Sequence, residues 1–430
     1  EQMREARYHL GESYLASGSY KLAVDTLKGF LREHRGSDKR YPQTFFLLAR
    51  AYQGLGDWAE AIAHYRAYLA QRDVIASYVN ELIGDCYINL GSYSEAIHAY
   101  EEALQEAPDA GFQVHIREKI ADAYLRQQNY EPAIAQYDAI LEVAQIGYYR
   151  AKVEYLAGMA YLNWDQTDQA HARFLEAVDN YPEAGYAYLS LVELVNAGVE
   201  VDDFQRGLVD YHNGAYQPAI DAFHRYIQAD PHGHSGAAHY YAGLAYKAID
   251  GYELAKREFD LLIDTHPEDE RWDQAWLEKA AVLADLGDYD GAVRVYQTFV
   301  RRYPQHALTG EVLWRRAQLA ESHSQYDEAA RAYLDLQSRY PQWERADAAL
   351  LQAGLCYYRL AEDQKAAEAW RKLLEDYAQS ELRSKALFWL GKAYLRLGKT
   401  EEAKQSLAEA TTARAQDYYA LRAGALRRTI

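Results

Sequence analysis

Small side chains recur along this chain at a fixed distance from large apolar ones, and the spacing is that of paired helices. Alanine stands at Ala23, Ala61, Ala96, Ala133, Ala170, Ala219, Ala255, Ala292, Ala329, Ala366 and Ala403, and eight of the ten successive separations are 36 to 38 residues. Twelve residues before each comes another small residue: Gly11, Ala49, Gly84, Ala121, Gly158, Gly207, Gly243, Ala280, Ala317, Gly354 and Gly391. Four residues after each alanine comes a large apolar one: Tyr65, Tyr100, Tyr137, Phe174, Phe223, Phe259, Tyr296, Tyr333 and Trp370, with Leu27 and Leu407 in the end copies. A step of four keeps two side chains on one helical face. Helices that approach at the close end of the usual 8 to 10 Å leave no room for bulk at their contact, so the pattern predicts a helical hairpin at every copy. Prolines twelve residues after six of the alanines, Pro108, Pro182, Pro231, Pro267, Pro304 and Pro341, mark where one unit has ended and the next has not begun.

The clearest copies read Leu10-Gly11 to Tyr14, Gly18, Tyr20 and Ala23, and Leu390-Gly391 to Tyr394, Gly398 and Ala403. These residues resemble the tetratricopeptide repeat, with a unit lengthened by about three residues over the usual 34. The resemblance implies an all-α, right-handed superhelical solenoid of about eleven helix-turn-helix repeats. Each hairpin has apolar residues on both flanks and must stack on its neighbours.

One separation, Ala170 to Ala219, is 49 residues, longer than the rest by about one average helix. Tyr188, Leu191, Val192 and Val195 stand at helical spacing inside it, which predicts an inserted helix over 184–196. The expected organisation is a first array of five repeats over 1–182, an inserted helix and loop over 183–202, and a second array of six repeats over 203–430 closed by a capping segment, Asp417 to Leu426.

In such a solenoid the first helix of each unit faces the concave wall. Three residues before the small position stand Phe46, Tyr155, Phe204, Tyr240, Trp314 and Phe388, the expected partner-binding side chains of that groove. Aromatic rings at this place are also ordinary packing, and both uses stay open at this stage.

Composition narrows the partners. The chain carries 64 acids against 46 bases, a formal net charge of -18, which opposes nucleic acid and acidic peptides. No apolar run reaches the roughly 18 residues of a membrane span. The chain opens on Glu1 rather than on methionine, which points to a trimmed or mature form. Cys86 and Cys356 lie seven repeats apart, too far for a disulfide, and are expected to be free and inert. His232, His234 and His239 have the spacing of potential zinc ligands, yet they sit in a Pro-Gly-Ser loop with no carboxylate or cysteine beside them. They are read as a polar turn, and neither a metal nor any other cofactor is expected. Phosphate-binding, nucleophile-elbow and zincin motifs are absent, and the linear Glu321-Ser322-His323 is no triad. No catalytic residue is expected.

A second resemblance is narrower. Asp202-Asp203-Phe204-Gln205-Arg206-Gly207-Leu208, Tyr211-His212-Asn213-Gly214 with Tyr216, and Asp417-Tyr418-Tyr419-Ala420-Leu421-Arg422-Ala423 look like the helical region that precedes the catalytic domain of bacterial soluble lytic transglycosylases. That resemblance implies an extracytoplasmic location, peptidoglycan as a further partner and a catalytic domain beyond residue 430. The family's catalytic Glu-Ser, Gly-Leu-Met-Gln and Ala-Tyr-Asn segments are absent from this chain. The leading expectation is a non-catalytic scaffold with a protein or peptide in its groove, and the alternative is the substrate-positioning part of a transglycosylase.

Overall fold

A computed structural model describes residues 2–33, 38–413 and 417–430, and every regular element among them is an α-helix, twenty-four in all. The chain divides into two compact units, 1–222 and 223–430. Each is a run of antiparallel helical hairpins, typified by Tyr41–Leu55 with Trp58–Leu69 in the first unit and by Trp272–Asp285 with Tyr289–Arg302 in the second.

The small positions lie where the pattern puts them, against the bulky side chain sixteen residues on. A Cβ built on Gly11, Gly84, Gly158, Gly243, Gly354 or Gly391 would come within 3.0 Å of Leu27, Tyr100, Phe174, Phe259, Trp370 or Leu407 respectively. Those six partners are fully or almost fully buried. The alanine twelve residues after the small position is itself completely enclosed in every hairpin from Ala23 to Ala403. Glycine is therefore occupied space rather than flexibility at these sites: its missing Cβ is where a neighbouring ring sits.

Seven residues after the small position the chain turns from the first helix into the second, always through a left-handed residue. Six hairpins use glycine there, among them Gly56 (φ 74°) and Gly287 (φ 82°), while five use Gln128, Asp165, Asp250, Ser324 and Ala361 at φ 57° to 61°. The next residue caps the second helix in two copies: the Asp57 carboxylate accepts from the Glu60 amide and the Asp288 carboxylate from the Gly291 amide.

The helix Gly185–Asn196 carries none of this hairpin signature. Its Ala187, Leu191 and Leu194 join the core formed by Phe174, Ala177 and Val178 in the first unit. The last helix, Tyr418–Arg427, covers Leu387, Phe388 and Leu407 with Ala423.

Candidate functional site

The six aromatic residues singled out for the groove all lie on first helices. Trp314 and Phe388 are buried, and Phe46, Tyr155, Phe204 and Tyr240 are half-buried. Four of them meet the large residue nineteen positions on: Phe46 lies 5.6 Å from Tyr65, Tyr155 5.8 Å from Phe174, Tyr240 6.1 Å from Phe259 and Trp314 5.1 Å from Tyr333. These are tilted or edge-to-face contacts of the kind buried rings prefer. Phe388 instead meets Trp389 and Tyr419, because its hairpin ends in Leu407. Phe46, Tyr155, Tyr240 and Trp314 thus line a floor beneath the first-helix face, with more polar neighbours beside them.

In the first unit that face carries a ladder of ions. Lys119 Nζ lies 2.7 Å from both Glu81 Oε1 and Asp85 Oδ1 of the preceding hairpin, His115 Nε2 lies 2.8 Å from Glu81, and Lys152 reaches Glu118. Partners 34 to 38 residues apart are one repeat apart, so each rung ties a first helix to its neighbour. At Glu81 burial would raise the carboxyl, but hydrogen bonds from Lys119 and His115 outweigh it and hold the group below its ordinary value. Half-exposed pairs of this kind contribute modestly, about 0.2–1 kcal/mol each.

In the second unit the same face opens into a cleft of about 640 Å³. Gln274 and Leu277 come from the helix Trp272–Asp285, Glu311 and Arg315 from Thr309–Ser322, and Trp343 and Arg345 from the turn before Ala346–Arg359. Arg345 stands 5.1 Å above the Trp343 ring and 5.7 Å above Trp314, with Nη2 3.0 Å from Glu311 Oε2. Arg315 Nε donates to Glu311 Oε1 at 2.7 Å. One carboxylate thus holds two guanidiniums, that of Arg345 over an indole floor. Of these cleft residues sequence reasoning picked out only the floor position, because Trp343 and Arg345 lie in an inter-repeat turn outside the helical pattern.

The loop His232–Gly236 differs from its expected form. His232 is exposed, as a polar turn requires, but His234 and His239 are buried. A third imidazole, His266 from the next inter-repeat turn, stands against them, and the buried carboxylate of Glu258 accepts from His239 Nδ1 at 2.7 Å. The carboxylate that the local sequence lacked comes from the second helix of the same hairpin, nineteen residues on. Cys86 and Cys356 are free, fully enclosed thiols in different units.

Among the described residues no helix is long and apolar enough to cross a membrane. Models described as tetratricopeptide repeat match residues 5–37, 46–111, 87–154, 240–307, 277–342, 348–380 and 384–417, together most of the chain. They pass over 155–239, the stretch that holds the helix Gly185–Asn196. Solved structures with a similar arrangement include MamA (15% identity over 46% of this chain and 97% of that one, TM-score 0.35). Yeast Tom70 is similar at 13% identity over 100% and 95% of the two chains, with a TM-score of 0.33. A tetratricopeptide repeat protein from Parabacteroides merdae is similar at 14% identity over 73% and 98%, with a TM-score of 0.30. No curated protein matches the chain. None of these findings links it to a lytic transglycosylase.

Proposed function

Because this chain belongs to the tetratricopeptide repeat family, whose members are generally non-catalytic scaffolds, we propose that it holds a protein segment along the first-helix face of its second unit. The observation that carries this reading is the cleft built by two successive first helices and the turn before a third, with Arg345 laid over Trp314 and Trp343. A guanidinium stacked on an indole and paired to one carboxylate keeps donors directed outward, and the surrounding Gln274 and Leu277 supply an amide and an apolar edge. Such a mixture suits an extended peptide better than a uniformly charged ligand, in keeping with the net charge of -18.

The test is position-resolved photo-crosslinking in the native host. A photoreactive residue at exposed Gln274 should give a discrete adduct with a defined segment of one partner, and Arg345→Ala should weaken that adduct at least about tenfold, as expected for loss of an anchoring arginine. The same probe at exposed Glu368, on the second helix Asp363–Asp376, should give none. Equal labelling from Gln274 and Glu368, or an adduct indifferent to Arg345→Ala, would remove the cleft from consideration.

A further inference from the structure

The imidazoles of the second unit's first inter-repeat turns form an arrangement that packing alone does not explain. His234 Nδ1 lies 2.9 Å from the Asp230 carbonyl oxygen, which can only accept, so this nitrogen carries the proton. His239 Nδ1 lies 2.7 Å from Glu258 Oε2. His224 Nε2 lies 3.1 Å from the other carboxylate oxygen, so Glu258 sits between two imidazoles and accepts from both. With both Nδ1 atoms donating, the neutral forms of His234 and His239 would face each other Nε2 to Nε2, lone pair to lone pair, across 3.2 Å in a buried site. Two acceptors at that distance call for a positive centre between them. The separation is close to the roughly 3.3 Å edge of a tetrahedron whose metal–nitrogen bonds are about 2.0–2.1 Å.

The third imidazole indicates which positive centre. His266 has its ring 4.7 Å from that of His234 and 5.7 Å from that of His239, and one ligand nitrogen from each of the three lies within 4.8 Å of the others. A shared proton would account for two of the nitrogens only, whereas a metal would take all three imidazoles once His266 turns from its present contacts, Nε2 3.2 Å from the His234 carbonyl oxygen and Nδ1 2.7 Å from Thr265 Oγ1. Two features of the chain permit the approach. Gly236 lies so close to the next turn that a Cβ there would fall 2.8 Å from His266 Cβ, and the Asp230 carboxylate fixes the loop by accepting from the Gly233 amide.

Position in the repeat gives the same indication independently. His239 stands four residues before the small Gly243, and Glu258 three after Ala255. The later hairpins of this unit fill the same two places with Trp276 and Val295, Leu313 and Ala332, Leu350 and Ala369, and Leu387 and Ser406. No ionic pair is required there in these hairpins, and this one alone of the unit's five has an imidazole backed by a carboxylate.

We propose that His234, His239 and His266 bind one divalent transition-metal ion of the zinc class, with Glu258 orienting His239 from behind. Three imidazole nitrogens select zinc, cobalt, nickel or copper over magnesium and calcium, which take oxygen ligands. The Glu258–His239–metal line is the carboxylate–histidine relay that fixes a ligand's tautomer and raises its basicity. A metal would clamp the two inter-repeat turns that bracket the hairpin Ala237–Ala248 and Tyr252–Thr265.

Zinc chloride titrated calorimetrically into untagged, chelator-treated full chain near neutral pH should give one ion per chain, and cobalt in its place should give the visible bands of a low-coordinate site. His266→Ala, at a half-buried position whose loss spares the core, should weaken zinc at least tenfold. Glu258→Gln should weaken it about 10- to 100-fold. His232→Ala, altering the exposed neighbour, should leave it unchanged, with circular dichroism reporting that each variant is folded. No saturable zinc binding would overturn the proposal in favour of a proton shared between His234 and His239. Binding that His266→Ala leaves intact, or that His232→Ala removes, would overturn it equally.

Discussion

The same substitution made at two helical glycines separates helix propensity from packing. Gly158 lies in the helix Gly147–Asn163, and a Cβ there would meet three carbons of the Phe174 ring within 3.0 Å. Ordinary carbon–carbon contact is about 3.5–4.0 Å, so the ring must recede by roughly an ångström. It has nowhere to go: Phe174 is fully buried among Ala170, Val178 and Leu191, with Tyr155 against it. Gly29, in the helix Tyr20–Glu33, would place its Cβ in ordinary contact, 3.7 Å from Arg7 Nη1. Both Gly→Ala changes gain about 0.8–1 kcal/mol of helix propensity. Only Gly158→Ala has the overpacking cost of about 1–3 kcal/mol. Gly29→Ala should therefore stabilise, and Gly158→Ala should fall below it by about 1–3 kcal/mol. Urea unfolding followed by circular dichroism gives the global comparison. Amide exchange within each helix gives the local one, which matters because repeat arrays do not open uniformly. If the two variants shift alike to within about 0.5 kcal/mol, the small positions are not helix contacts and the register assigned to all eleven hairpins fails.

Ala361 adopts φ 61° where six other hairpins place glycine, so Ala361→Gly should stabilise by about 0.5–1 kcal/mol, the left-handed penalty less the chain entropy of glycine; loss of stability in a thermal melt would count against this. Burial pushes the Cys86 thiol up to about 11 and the Cys356 thiol up to about 12, so a chromogenic disulfide reagent at mildly alkaline pH should find almost no reactive thiol in the native chain and two after unfolding. Glu81 has its folded value below the ordinary 4.5, so it contributes stability that is present above that value and lost as pH falls through the folded one. Removing its partner in Lys119→Met should flatten the acid limb of a stability–pH curve, and an unchanged slope would show that the ladder does not hold Glu81 ionised.

The hairpins and their phase were legible because the small position, the alanine and the bulky residue are steric requirements repeated eleven times. The left-handed turn residue was legible only where it is glycine: Gln128, Asp165, Asp250, Ser324 and Ala361 do the same work and look like ordinary surface residues. The six aromatics lie on first helices, but spacing does not encode which way a ring leans, and Phe46, Tyr155, Tyr240 and Trp314 lean onto their own second helices. His232, His234 and His239 were visible as a group and read as a polar turn, which holds for His232 alone. His266 was not visible with them, since it belongs to the following turn and meets His234 and His239 only through the stacking of units.

The pair of positions that holds His239 and Glu258 recurs in every hairpin, nineteen residues apart, and what fills it distinguishes stability from specialised chemistry. Glu154 and Arg173 occupy it in the first unit with Arg173 Nη1 3.1 Å from Glu154 Oε2, and Arg117 donates to Gln136 there at 2.9 Å. Leu313 with Ala332 and Leu350 with Ala369 show that an apolar pair satisfies the same geometry. Buried ionic partners are commonly no better for stability than apolar ones of similar volume, and replacing both together is often neutral or stabilising by about 1–4 kcal/mol. The double variant His239→Leu/Glu258→Ala, which copies the Leu313 and Ala332 pair, should therefore unfold at equal or higher denaturant while losing zinc binding altogether. The single variant Glu258→Ala, which leaves His239 buried without its acceptor, should be the less stable of the two. If the double variant instead lost more than about 1 kcal/mol, the imidazole and carboxylate would be structural members of the hairpin core, and their polar chemistry would need no ligand to account for it.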